Sequence, residues 1–145
     1  GLGALRLDFR IHGFPGDLDE AVHDALQGVR FLAGMGYRRV GLLGHSFGGA
    51  VAIEAAARER SVASVATLAT QTAGARRVAE LAPRAILFVH GLADRRLSPD
   101  CSRRLYELAG EPKRLVLLEG ATHSLRQRRD EVTQVLAGWF AETLK

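Results

Sequence analysis

The feature that most constrains the fold is the alternation of short apolar runs with longer amphipathic segments along the whole chain. Buried strands of a parallel sheet read as continuous apolar runs, and amphipathic helices cross between them. We therefore expect an α/β fold, with a mostly parallel sheet between two layers of helices. The predicted strands are residues 4–10, 39–43, 62–68, 85–90 and 114–118.

Helical periodicity and end signals place the helices between these runs. Val22, Leu26 and Val29 are spaced for one helix face, and Asp17 is a candidate N-cap. Pro83 ends a short helix, and the glycine-containing stretch 11–16 is predicted to be a loop. The predicted helices are residues 18–35, 76–81, 97–108 and 130–143, and a further helix begins at once after the glycine-rich stretch 44–49 and continues to about residue 58.

Length and composition fit one ordinary globular domain over residues 1–145, because 47% of the 145 residues are hydrophobic and 25% charged. Only a short helix fits between residues 68 and 85, so no cap domain is expected there.

No apolar run approaches the roughly 18 residues that a membrane span needs. The absence of a signal peptide favours a cytoplasmic location.

The single cysteine, Cys101, excludes an internal disulfide framework and a multi-cysteine zinc site. The five histidines show no metal-ligand spacing. We therefore predict no metal and no cofactor. A helix N-terminus favours a thiolate, but without an evident partner Cys101 is interpreted as a packing residue.

The chain is basic, with a net charge of +4 and an isoelectric point of about 10.0. Arginine supplies most of this charge, in scattered pairs such as Arg38-Arg39 and Arg76-Arg77. No aromatic residues lie between the pairs as stacking platforms for bases. The arginines are therefore interpreted as solvated surface, and neither nucleic acid nor membrane is a predicted partner.

Residues 44–48 match the nucleophile-elbow pattern Gly-x-Ser-x-Gly, with His45 and Phe47 at the variable positions. The pattern lies between an apolar strand and an alanine-rich helix, which is the context that this turn needs. We predict that the turn requires a small residue at Gly44 and at Gly48, because a side chain there would collide with the neighbouring strand or helix. Ser46 would take a strained conformation at the helix N-terminus, and the Phe47 N–H would face an oxyanion. The alternative is a tight turn with an idle serine.

A serine nucleophile needs a base that is itself oriented by an acid. Asp94 follows one buried strand and His123 follows the next, so both are predicted at the same sheet edge as Ser46. His123 would take the Ser46 proton and return it to the leaving group, while Asp94 would fix the imidazole tautomer. Taken singly, Asp94 could be a turn residue and His123 a surface loop residue.

Three blocks carry a resemblance to a known family: residues 44–49, 90–94 and 120–123. On these residues the chain resembles the α/β-hydrolase-fold serine hydrolases, near the dienelactone-hydrolase-like and serine-aminopeptidase-like branches. The resemblance implies an α/β-hydrolase fold with Ser46, Asp94 and His123 as the triad. Dienelactone hydrolases proper use a cysteine and halide-releasing members an aspartate, so Ser46 implies neither lactone cleavage nor dehalogenation.

Residues 7–13 resemble the family's fourth strand and the loop that follows it, which implies that the first three strands are absent. In the family the third strand lies between the fourth and fifth, and the loop after it supplies the second oxyanion N–H. The chain would then be a fragment or a compact variant. Loss of one oxyanion donor costs about 10²–10³ in rate, and an unfilled sheet position invites association.

Several weaker candidates remain. His12 could line the mouth of the site but is more typical of a loop residue, and His90 is interpreted as structural because it ends a buried strand. Arg95, Arg96 and Arg126 flank the site loops and would suit an anionic substrate group, although surface arginine is the simpler interpretation.

The favoured function is a serine hydrolase that cleaves a small ester, thioester or amide through an acyl–Ser46 intermediate. The alternative is a non-catalytic or fragmentary domain that associates with another chain to complete its sheet. A homodimer is one form that this association could take.

Overall fold

The computed structural model describes residues 2–10, 12–13 and 16–145. Within them, four parallel strands form one sheet whose spatial order follows the chain order, β1-β2-β3-β4. Helices flank the sheet, which confirms the predicted fold class. The strands are β1 (Val40–His45), β2 (Val62–Leu68), β3 (Ala85–Gly91) and β4 (Lys113–Leu118); the helices are α1 (Leu18–Gly34), α2 (Phe47–Arg58), α3 (Asp100–Leu108) and α4 (Arg129–Thr143).

Two apolar clusters cover the two faces of the sheet. On one face, Ile86 and Phe88 of β3 belong to the same buried cluster as Ile53 of α2. On the other face, the intervening Leu87 belongs to a cluster with Trp139 of α4. Alternate residues of a strand point to opposite faces, so β3 fills both clusters and all seven of its residues are buried. Each of the four large apolar side chains of β3, from Ile86 to Val89, contributes about 1.5–3 kcal/mol by leaving water.

Helix α1 begins where the sequence signals place it, because the Asp17 side chain accepts the N–H of Glu20 at 3.1 Å. Its buried residue Val22 packs in a cluster with Val51 of α2. Helix α2 therefore lies between α1 and the sheet. This contact holds α2, and with it the turn at its N-terminus, against the rest of the domain.

Three boundaries of the elements that form as predicted differ from the structure by two residues or more. The strand predicted to end at Leu43 continues to His45, directly before Ser46. The helix predicted from Leu97 begins at Asp100, after a turn in which the Ser98 hydroxyl accepts the Asp100 N–H at 3.2 Å. The short helix predicted over residues 76–81 is a 3-10 turn, Val78–Leu81, between β2 and β3.

The predicted strand over residues 4–10 is wrong, because residues 2–9 have no regular secondary structure. An extended apolar segment becomes a strand only when a neighbour pairs with its backbone. Here a cavity of about 1110 Å³ is lined by residues 2–7 and Phe9 together with β1. In the part of the chain that the structure describes, β1 pairs only with β2, and Leu43 on β1 is 50% exposed.

Ile11, Phe14 and Pro15 of the predicted loop lie outside the described residues. Among the residues that are described, no helix has both the length and the apolar character that a membrane span requires.

Candidate active site

Ser46 is the residue between β1 and α2, and its backbone is strained. Its φ of 56° and ψ of −119° lie outside the regions that side-chain-bearing residues favour. Such a conformation costs about 1–3 kcal/mol, so the surroundings must hold it in place. The Ser46 N–H donates to the Leu68 carbonyl at 2.8 Å, and the Ser46 carbonyl accepts the Gly49 N–H at 3.0 Å. The strained turn expected from the sequence is therefore present.

The tightness of this turn depends on Gly44 and Gly49. A Cβ on Gly44 would overlap the backbone carbonyl of Gly48, as expected for a close approach. The prediction for Gly48 itself is wrong, because a Cβ there would meet nothing within 4 Å. The second glycine that must stay small is Gly49, whose Cβ would overlap the side chain of Thr70. The Gly48-Gly49 pair is visible in the sequence and could have indicated a close contact. The contact with Thr70 could not be predicted, because the position of Thr70 depends on the tertiary fold.

Asp94 follows β3, and its carboxylate is enclosed by donors. Oδ1 accepts the backbone N–H groups of Arg96 at 2.8 Å and Leu97 at 3.0 Å. Oδ2 lies 2.7 Å from Nδ1 of His123. A Cβ on Gly91 would overlap the Ala121 carbonyl, so the loops after β3 and β4 lie in backbone contact. That close approach brings Asp94 to His123.

The hydrogen bonds decide the charge of Asp94, which is 7% exposed. Burial raises the pKa of this carboxyl, but hydrogen bonds from Leu97, His123 and Arg96 outweigh burial, and the pKa lies below its usual range. The carboxylate is therefore ionised at neutral pH. It accepts the Nδ1–H of His123, and in the neutral imidazole this tautomer makes Nε2 the acceptor.

Ser46, Asp94 and His123 follow β1, β3 and β4 and lie at the same edge of the sheet. Among the described residues, the Ser46 hydroxyl makes no hydrogen bond to His123. Catalytic hydrogen bonds are often long in enzymes without substrate.

His45 makes a contact that the sequence did not reveal. Its Nε2 lies 2.8 Å from the His123 carbonyl oxygen, which can only accept, so His45 donates this hydrogen bond. The two rings are also 4.8 Å apart between centroids, with a tilt of 55°. The elbow and the His123 loop are thereby joined directly. The partners are 78 residues apart, and no local signal could have found them.

The remaining candidates lie around this edge. Phe47 is the first residue of α2, and its ring packs edge-on against Phe9 at 6.2 Å. The role of its N–H in an oxyanion hole stays a prediction. His12 is exposed and Cys101 is half-buried. Arg95, Arg96 and Arg126 are exposed beside the loops.

The large cavity beside β1 extends to Ser46 and Phe47. A second cavity of about 640 Å³ lies at the opposite edge of the sheet, before the strands begin. Three of the cations there bind backbone carbonyls. Arg39 contacts that of Thr143, Arg84 contacts those of Ala56, Glu59 and Val62, and Lys113 contacts those of Tyr106 and Ala109. The basic residues that line it are Arg38, Arg39, Arg60, Arg84, Lys113 and Arg114.

A parallel sheet with a strained serine after one strand, and an aspartate–histidine pair after two others, defines the α/β class of proteins built around a nucleophile elbow. The family model described as "Alpha/beta hydrolase family" matches residues 1–110. The chain belongs to the α/β-hydrolase family, as the three sequence blocks indicated.

One curated relative is the uncharacterized protein YfhR of Escherichia coli K12. It is 30% identical over 131 residues, and the match covers 74% of this chain and 46% of YfhR. The chain therefore spans about half the length of this relative.

Solved structures show the same fold. The esterase domain of a Rhodothermus marinus protein superposes with a TM-score of 0.75 at 22% identity, over 92% of this chain and 72% of that one. A dienelactone hydrolase from Anabaena variabilis gives a TM-score of 0.81 at 21% identity, over 89% of this chain and 62% of that one.

Proposed function

We propose that this protein is a serine hydrolase that cleaves a small ester, thioester or amide through an acyl–Ser46 intermediate. The observation that carries the proposal is the 2.7 Å contact between Asp94 Oδ2 and His123 Nδ1, at the sheet edge that also holds the strained Ser46. An ionised carboxylate on one imidazole nitrogen leaves the other nitrogen as a base, which is what an activated serine requires.

The reaction proceeds in two halves. In the first, Ser46 Oγ bonds to the substrate carbonyl carbon while His123 Nε2 takes the hydroxyl proton. The bond to the leaving group then breaks, and the leaving group takes that proton from His123. In the second half, water attacks the acyl–Ser46 ester with the same proton transfers, which releases the acid and restores Ser46. The Phe47 N–H would stabilise the oxyanion of each tetrahedral intermediate.

The substrate class follows from the segment between β2 and β3. It contains one 3-10 turn, Val78–Leu81, where a cap could otherwise cover the site. An uncovered site excludes water poorly and offers little apolar surface to a long acyl chain, so we propose a small acyl group. We further propose a cytoplasmic location, in keeping with the single cysteine.

The test is turnover of short p-nitrophenyl esters and thioesters by the parent protein and by Ser46→Ala. The matched control is Ser61→Ala, because Ser61 is exposed at the opposite edge of the sheet. We expect hydrolysis by the parent and the control, and none above the solvent rate by Ser46→Ala. Equal hydrolysis by Ser46→Ala would refute the proposal.

A second candidate is a domain that associates with another copy through β1. The observation that favours it is the apolar cavity beside β1, together with the half-exposed Leu43 on a strand that pairs only with β2 among the described residues. Unpaired strand edges attract further strands, and a lysine on the edge blocks them. The solution mass should then exceed that of one chain and fall in Leu43→Lys but not in Leu108→Lys, which alters an exposed leucine on α3. A single-chain mass at all concentrations would reject this candidate.

A further inference from the structure

A fourth donor, the buried His90, binds the carboxylate of Asp94 from inside the protein. His90, the sixth residue of β3, is fully buried, and its Nε2 lies 3.1 Å from Asp94 Oδ2 and 3.1 Å from the Leu97 carbonyl oxygen. Its Nδ1 lies 2.7 Å from the hydroxyl of Ser102, which is also fully buried on α3. Both ring nitrogens of His90 are thus satisfied away from solvent.

These partners fix where the protons lie. A carbonyl and an ionised carboxylate only accept, so His90 Nε2 carries the ring proton. Nδ1 is then an acceptor, and the Ser102 hydroxyl donates to it. Burial lowers the pKa of His90, although its contacts with Leu97 and Asp94 oppose this, and the ring stays neutral. One tautomer therefore satisfies every contact.

We propose that His90 and Ser102 are positioning residues that hold Asp94 in the orientation that His123 needs. The inference rests on the proposed function, in which Asp94 orients the catalytic base. Asp94 Oδ2 receives two donors, His123 Nδ1 at 2.7 Å and His90 Nε2 at 3.1 Å. Ser102, His90, Asp94 and His123 thus form one continuous chain of hydrogen bonds that leads from α3 to the base.

His90 does more than fill space, because it binds the carboxylate oxygen of Asp94 that the backbone N–H groups do not bind. The two backbone N–H groups bind only Oδ1, so they leave Oδ2 free to move as the carboxylate plane turns. His90 adds a fixed donor on Oδ2 itself. Ser102 in turn prevents the His90 ring from flipping, because a flip would leave buried polar atoms without hydrogen-bond partners.

The test compares two conservative variants of the same buried residue. In His90→Gln, the amide nitrogen reaches the position of the imidazole Nε2 and can still donate to Asp94. In His90→Asn, the shorter amide reaches only the position of Nδ1, beside Ser102. Packing is disturbed similarly in both variants, but only His90→Gln keeps the contact that the proposal requires.

The first readout is the far-downfield proton NMR resonance of the His123 Nδ1–H, which needs no substrate. We expect it to persist in His90→Gln and to shift and broaden in His90→Asn. The second readout is ester kinetics, where His90→Asn should lose about tenfold to hundredfold in kcat, by analogy with the partners that orient metal-binding histidines. KM should change little, and His90→Gln should stay close to the parent.

Val89→Ala is the matched control, since Val89 is a fully buried neighbour on β3 with an apolar side chain. It should lower the unfolding temperature without moving the resonance. The proposal is overturned if His90→Asn keeps the parent resonance, or if both His90 variants lose kcat equally. If His90→Asn does not fold, Ser102→Ala replaces it and should also shift the resonance; an unchanged resonance there overturns the proposal.

The two readouts separate this inference from the proposed function. A folded parent with the His123 resonance but no ester turnover contradicts the proposed function alone. A parent that hydrolyses esters while His90→Asn behaves as the parent contradicts the positioning role alone.

Discussion

His123 binds Asp94 through Nδ1 at 2.7 Å, although 29 residues separate them in the chain. The contact joins the loops that follow two adjacent parallel strands, β3 and β4. It uses one ring nitrogen of His123, at the same sheet edge where Ser46 follows β1. The chemistry proposed for this protein depends on that contact more than on any other.

Asp94→Asn should remove activity without unfolding the protein. The amide has the size of the carboxylate but cannot hold the His123 tautomer, and in a serine-protease triad this change lowers kcat about 10⁴-fold. We expect a loss of that order in ester turnover. Asp100→Asn, at an exposed position on α3, is the control and should retain the parent rate. Retention of the parent rate by Asp94→Asn would show that the contact is not catalytic.

Gly44→Ala and Gly48→Ala should differ sharply in stability. The added methyl group at position 44 meets the Gly48 carbonyl, and overpacking of this kind costs about 1–3 kcal/mol or more. The methyl group at position 48 meets open space on helix α2, where alanine gains roughly 0.5–1 kcal/mol over glycine. Urea unfolding of both variants measures the difference. Equal stabilities would mean that the turn is looser than the structure describes.

The four parallel strands could be predicted from the sequence because each contains a short apolar run, and the runs of β2 and β3 are largely buried. The segment 4–10 looks equally suitable, yet it forms no strand, since strand formation needs a pairing partner that composition does not reveal. Similarly, the elbow pattern located Ser46 from the sequence. Only the fold shows that Gly49 must stay small, because a Cβ there would overlap Thr70.

In the candidate site, too, some features could be predicted from the sequence and others depend on the tertiary fold. The order of Ser46, Asp94 and His123 predicted their gathering at one sheet edge, because parallel strands end together. The contacts of His45 and His90 could not be predicted, since a histidine's hydrogen bonds depend on which loop or helix the tertiary fold brings to it.

Stability should fall in mild acid partly because of His90. Burial holds the pKa of His90 in the folded protein below the ordinary value of about 6.5. Below pH 6.5 the unfolded chain therefore binds a proton that the folded protein excludes, and the free energy of unfolding decreases as pH falls. Urea unfolding at pH 7.5 and pH 5.5 should show a larger decrease for the parent than for His90→Gln. Equal decreases would place the ionisation elsewhere.

The kcat/KM for ester hydrolysis should decrease as the acyl chain becomes longer. The described segment between β2 and β3 has only a 3-10 turn to cover the site, so a long chain gains little apolar contact. We expect kcat/KM to be higher for acetate and butyrate esters than for palmitate esters. A strong preference for palmitate would contradict the open site.

Activation of Ser46 is the central claim, and covalent labelling tests it most directly. A fluorophosphonate reacts with an activated serine, and intact-mass measurement counts the adducts on the parent and on Ser46→Ala. The account predicts one adduct on the folded parent and none on Ser46→Ala. A folded parent that acquires no adduct, or a Ser46→Ala variant that is labelled equally, would contradict it.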